Sequence, residues 1–183
     1  MYQEEIADLT AAHLRSHIKA YIDAVGLIYP DTIKMQYPKS VETANLVGGV
    51  YNAKPNEMPA IAIDIISVEF AANTTEGLWL YNYDGHIAEV ISGGSEDTVN
   101  RIIKRHQQAC ETFVNDHLHF HQVEDQLTSP LGQPFTIMEF GFSGSAFSGA
   151  EEVTEKQNRK TWIAGYRIDV NWLVSQQGPG DHA

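Results

Sequence analysis

An α+β domain is what the sequence predicts: a mainly antiparallel sheet packed against two amphipathic helices, with long loops or arms. Three observations carry this. Apolar residues recur at helical spacing near the start and again near the middle. Alternating apolar runs rich in Ile, Val, Tyr and Trp fill the space between and after them. No segment repeats, so all 183 residues read as one domain, 1–183, with a flexible tail from about Gln176.

The first helix is expected over Gln3–Val25, where Ile6, Leu9, Leu14, Ile18, Ile22 and Val25 share one face and Gly26 and Pro30 stop it. Thr32–Tyr37 alternates, with Ile33, Met35 and Tyr37 on one side and Lys34 and Gln36 on the other. This is a half-buried strand ending at Pro38. Lys39–Pro59, with Gly48, Gly49, Pro55 and Pro59, reads as a wandering loop or arm.

Ala60–Phe70 is a strand. Ile61, Ile63 and Ile65 share one face and Ile66, Val68 and Phe70 the other, so a bulge or two-sided cover is expected at Ile65–Ile66. A turn follows at Asn73–Gly77. Leu78–Ile91 returns as one long strand, or as two short ones joined through Asp84-Gly85. Ser95 caps the second helix, and Glu96 and Asp97 suit its positive end. Val99, Ile102, Ile103, His106, Cys110, Phe113, Val114 and His117 make its apolar stripe. Arg101, Lys104, Arg105, Gln108 and Glu111 make its polar face.

A short strand is expected at Leu118–Val123, a turn-rich link at Leu127–Pro134, and a strand at Phe135–Phe142 with Phe135, Ile137 and Glu139 on one face. Ser143–Lys160 reads as a Gly/Ser-rich, then charged, loop. In Thr161–Val174, every second residue from Trp162 to Val174 is apolar, and Gly165, Arg167, Asp169 and Asn171 lie opposite. That strand covers a core on one side and meets solvent or a neighbour on the other.

With 24 acidic and 12 basic residues the net charge is −12. Such a surface does not grip phosphate backbones, because counterion release needs Lys and Arg. The lone Cys110 sits in a helical stripe and reads as a core residue in a reducing compartment. The acidic start, Met1–Asp8, is unlike a signal or transit peptide, and the apolar runs are too short to span a bilayer.

Catalytic motifs are scarce. His117, His119 and His121 would share one face of a strand, as three ligands of a zinc-like ion with an open position do, and would suit a small metal-dependent hydrolase. Yet His117 continues the helical stripe, and no spaced acid supplies a general base. Polar strand or helix-end histidines are therefore the preferred reading, and neither a metal nor a cofactor is expected. Phe142-Ser-Gly-Ser lacks the nucleophile elbow. Gly93-Gly94-Ser95 precedes two acids and no Lys, unlike a phosphate loop. A third reading is a small-molecule binding module with a cavity lined by Trp79, Trp162 and Trp172.

The order of elements carries a resemblance. The leading helix and short strand are followed by Met58-Pro-Ala-Ile-Ala-Ile-Asp-Ile, Ala88-Glu-Val-Ile-Ser, the capped helix Ser95–Asp116, and Ala164-Gly-Tyr-Arg-Ile-Asp-Val-Asn-Trp. Over residues 5–175 this resembles the tail terminator, or tail completion, proteins of tailed bacteriophages. The resemblance implies a structural, non-enzymatic virion subunit assembled in the host cytoplasm. It implies a ring, commonly a hexamer, that caps the tail tube and joins it to the head-side connector, with DNA passing through the lumen without specific binding. The expected partners are copies of itself, the tail tube protein and the connector, and no membrane. In the 143–160 loop, Glu151, Glu152 and Glu155 are the candidates for a lumen or interface edge. Arg159 and Lys160 are candidates for pairing with acids across a subunit boundary.

Overall fold

Helix α1 (Gln3–Gly26) forms because Ile6, Leu14, Ile18, Ile22 and Val25 return to one side every three to four residues and bury there. Helix α2 (Glu96–Asp116) buries Val99, Ile102, Ile103, Phe113 and Val114 in the same way. Ser95 caps α2 as expected: its carbonyl accepts the Val99 N–H at 3.0 Å, and its hydroxyl lies 3.5 Å from the Thr98 N–H. A computed structural model describes residues 3–46, 51–116, 127–128, 134–154 and 159–177.

The strands are β1 (Ser40–Thr43), β2 (Ala60–Asn73), β3 (Leu78–Gly93), β4 (Leu127–Thr128), β5 (Pro134–Thr154) and β6 (Lys160–Gln177). They form a six-stranded sheet in the order β1-β2-β3-β6-β5-β4. β1 runs parallel to β2, and every other pair is antiparallel. The fold is α+β. Both helices cover one face, where Ile61, Ile63, Ile87, Ile168, Val170 and Trp172 meet them in the main core. The opposite face is largely open. Among the described residues a small cluster, Leu46 with Ala62 and Ala88, packs there with Ala44 and Tyr51 against it.

The apolar face of β6 is as the alternation predicts, with Ala164, Tyr166, Ile168, Val170, Trp172 and Val174 buried. The bulge is also where the phase switch places it, between Ile65 and Ser67. β3 is one continuous strand, so Asp84-Gly85 closes no hairpin. Gly85 serves another purpose: a Cβ there would lie 2.1 Å from the Asp64 carbonyl oxygen and 3.0 Å from the Trp172 ring.

Several expectations are corrected. Thr32–Tyr37 belongs to no strand, although Ile33 and Met35 do pack on the core. The short parallel strand is β1, inside the segment read as a loop. Ser143–Lys160 is not a loop: β5 continues to Thr154 and pairs with β6 from Lys160. Glu139 does not join Phe135 and Ile137, because a bulge between Ile137 and Glu139 resets the phase and buries Phe140 instead. Arg105 leaves the polar face of α2 and is buried against Asp31, with the Tyr29 ring 4.2 Å away. Gln176 of β6 pairs with Trp79 of β3 and Phe135 of β5, so the strand runs past the point where a loose tail was expected. The expected strand at Leu118–Val123 lies outside the described residues.

Candidate assembly surface

The site candidates gather on β5 and on the open face. Glu151 and Glu152 are exposed near the end of β5, opposite Ile163 and Trp162 of β6. The structure brings Lys160 to Glu152 at 3.2 Å across the hairpin, both well exposed. Lys160 therefore pairs within its own chain, and at this exposure the pair contributes little stability. Arg159 is exposed beside it, and Glu155 lies outside the described residues.

Strand β5 spans 21 residues. It pairs with β6 along almost its whole length, yet its other edge meets β4 only at Pro134 and Phe135. From Thr136 to Thr154 that edge has no strand beside it among the described residues. Three register shifts, at Ile137/Glu139, Phe142/Gly144 and Ser148/Glu151, bend it. Helix α2 touches this stretch from above: Asn100 Oδ1 accepts the Ala150 N–H at 2.8 Å, Gln107 donates to Ser145 Oγ at 3.0 Å, and Lys104 lies over Phe147. Phe142, Phe147 and Val153 are exposed along it. An open edge carrying apolar side chains is a template for pairing with another chain.

The open face is polar and mostly acidic. Cross-strand register sets Asp64, His86 and Asp169 in one row, and Ser67, Asp84 and Asn171 in the next. His86 Nδ1 and Arg167 Nε both lie 2.9 Å from Asp169 Oδ1. None of the three atoms forms a hydrogen bond by geometry, and Arg167 and Asp169 are neighbouring opposite charges. Beside this row, Met58, Ala88, Val90, Ile163, Gly165 and Tyr51 line a trough of about 410 Å³ walled by the distal half of β5. The Tyr51 phenol is pushed up to about 12, by burial first and then by its bond to Glu42.

Beneath α2 lies a buried polar cluster. His106 Nδ1 meets Glu89 Oε1 at 2.7 Å, with both side chains nearly inaccessible. Cys110 and Tyr166 adjoin them. Burial pushes the Cys110 thiol and the Tyr166 phenol well above their ordinary values, so the thiolate is disfavoured there. This cluster joins α2 to β3 and β6 and offers a substrate no access. Its sequence signals were ambiguous: His106 fits a helical stripe and Glu89 sits in an apolar strand.

The three tryptophans enclose no common cavity. Trp172 stacks on Phe140 at 5.4 Å and donates to Thr10 Oγ1 at 3.0 Å. Trp162 packs at the core margin, and Trp79 meets Phe70 at the far end of the β2–β3 hairpin. His117, His119 and His121 lie outside the described residues, and among the described residues no group of three His, Cys, Asp or Glu side chains is placed to hold a metal ion. No helix among them is long and apolar enough to cross a membrane. No known protein-family model matches this chain, and no curated protein matches it.

Proposed function

We propose that this chain is a structural subunit of a tailed-bacteriophage neck or tail, a tail terminator or tail completion protein that works as a closed homomeric ring. The ring, hexameric in this reading, caps the tail tube, meets the head-side connector and lets DNA through its lumen.

The observation that carries the reading is the outer edge of β5 from Ser143 to Thr154, which meets no strand among the described residues. A long edge strand that carries apolar side chains is a template for pairing with another chain, and an assembling subunit uses it for its neighbour. A sheet whose two described helices cover one face, with Asp64, Asp84 and Asp169 on the other, supports it further. Such a face, turned toward a lumen, repels DNA and lets it slide.

Native mass measurement of the full chain tests the reading. A closed multiple of the subunit mass, six-fold in the hexameric case, is expected. A monomer at every concentration up to the solubility limit overturns it.

A further inference from the structure

Residues Thr32–Tyr37 have the alternation of a strand but no strand partner. Ile33 and Met35 turn in against the core, while Thr32, Lys34 and Tyr37 are exposed. Among the described residues, none of their backbone groups bonds another main-chain group. The Ile33 N–H bonds the Asp31 carboxylate at 3.2 Å, and the Gln36 side chain reaches the Ser92 carbonyl at 3.4 Å. The segment is nevertheless firmly held. Before it, Asp31 is gripped by Arg105, and Tyr29 bonds Gln108 at 3.0 Å. Within it, Tyr37 bonds Asp23, and after it the Lys39 N–H bonds the Pro59 carbonyl at 2.7 Å.

We infer that Thr32–Tyr37 of one copy adds to the outer edge of the Ser143–Thr154 half of β5 of the next copy, as a seventh strand supplied in trans. This inference rests on the ring reading above and names the contact that would build the ring. Strand addition pairs two stretches of backbone that meet no strand among the described residues: Ser143–Thr154 of β5, where Asn100 holds the Ala150 N–H, and the segment, where Asp31 holds the Ile33 N–H. Pro38, which has no N–H, ends the donated strand.

Charge fits the pairing. From Thr32 to Lys39 the segment carries two lysines and no acid. From Ser143 to Thr154, β5 carries Glu151 and Glu152 and no base. Glu152 is occupied by Lys160 of its own chain. Glu151 and Lys34 are exposed, and among the described residues neither forms an ion pair, so they meet across the junction in this arrangement. The acidic first turn of α2, Glu96 and Asp97, stands at the same end, since Asn100 bonds Ala150. Leu27 and Ile28, 88% and 65% exposed, lead into the donated segment and add apolar area to the same contact. The donor and acceptor are different surfaces, so the contact is heterologous and closes into a ring when the rotation allows.

Charge reversal tests this on the intact chain by native mass spectrometry and sedimentation. Lys34→Glu and Glu151→Lys, each alone, are expected to raise the concentration needed for assembly by ~10-fold or more. The double variant restores it. So does mixing the two single variants, because each then offers the charge the other needs. Lys34→Pro, which removes one donor N–H without breaking a bond within the protomer, is expected to abolish assembly while the circular dichroism and melting of the protomer stay unchanged. If the single variants assemble like the parent, the junction is overturned while the ring reading stands. If they fail and neither the double variant nor the mixture recovers, the pairing is overturned. A parent chain that is always monomeric overturns both readings.

Discussion

Gly85 is the residue on which the middle of the sheet turns. It sits opposite Ile65, at the edge of the β2 bulge. With a Cβ meeting the Asp64 carbonyl at 2.1 Å and Trp172 behind it at 3.0 Å, the strand has nowhere to move. Gly85→Ala is expected to destabilise the chain by about 3 kcal/mol, the upper end of overpacking costs, because the clash is with backbone and not with a flexible side chain. Urea unfolding followed by tryptophan fluorescence measures it. Asp31 is the second informative residue. The Arg105 guanidinium, hydrogen-bonded to it, holds its carboxyl below the ordinary value of 3.8. A carboxyl depressed on folding contributes stability that is complete above its unfolded value and is lost as pH falls through the folded one. Asp31→Asn should therefore lower the melting temperature at pH 7 and flatten its decline below pH 3.8, where the parent loses the interaction. Thermal melts of both proteins across that range check this.

At the level of elements, the sequence was legible where burial on one face dictated alternation. β6 shows its core face through seven apolar residues at every second position, and the Ile65–Ile66 phase switch marks a real bulge. The distal half of β5 was not legible. Ser143–Ala150 is built from Gly, Ser, Ala and Phe, whose small polar members read as a loop. Only the pairing with β6 and the contacts from α2 make it a strand, and a tertiary effect of that kind leaves no local pattern. Thr32–Tyr37 is the converse case. Its alternation is genuine, since Ile33 and Met35 do face the core, yet the strand partner that alternation announces is absent from the described protomer. The same gap explains the assembly candidates. Glu151 and Glu152 were singled out through their charge, but the strand edge on which they lie depended on knowing that β5 runs to Thr154. The row of Asp64, His86 and Asp169 needed cross-strand register, which a single strand's sequence does not contain.

For the whole molecule, charge sets what assembly has to overcome. Each copy carries a formal −12, and the proposed ring would concentrate that charge around one axis. Long-range repulsion between copies is screened over roughly 10 Å at 0.1 M salt, whereas backbone pairing at a sheet edge and apolar burial are not screened. Added monovalent salt should therefore favour assembly, the opposite of its effect on a ring held mainly by ion pairs. The same charge governs DNA. Tight binding to a duplex requires several phosphates to be neutralised by Lys and Arg, with affinity falling steeply as salt rises. Here Arg167 lies beside Asp169, and Lys160 beside Glu152, so these two cations of the open face and the β5 hairpin are already matched by acids. Fluorescence anisotropy with a labelled duplex is expected to show no binding even at ~50 mM salt, where electrostatic binding is strongest. A binding signal there that disappears toward ~200 mM salt would reveal a basic DNA-gripping surface, and the picture of a lumen through which DNA slides without sticking would have to be abandoned.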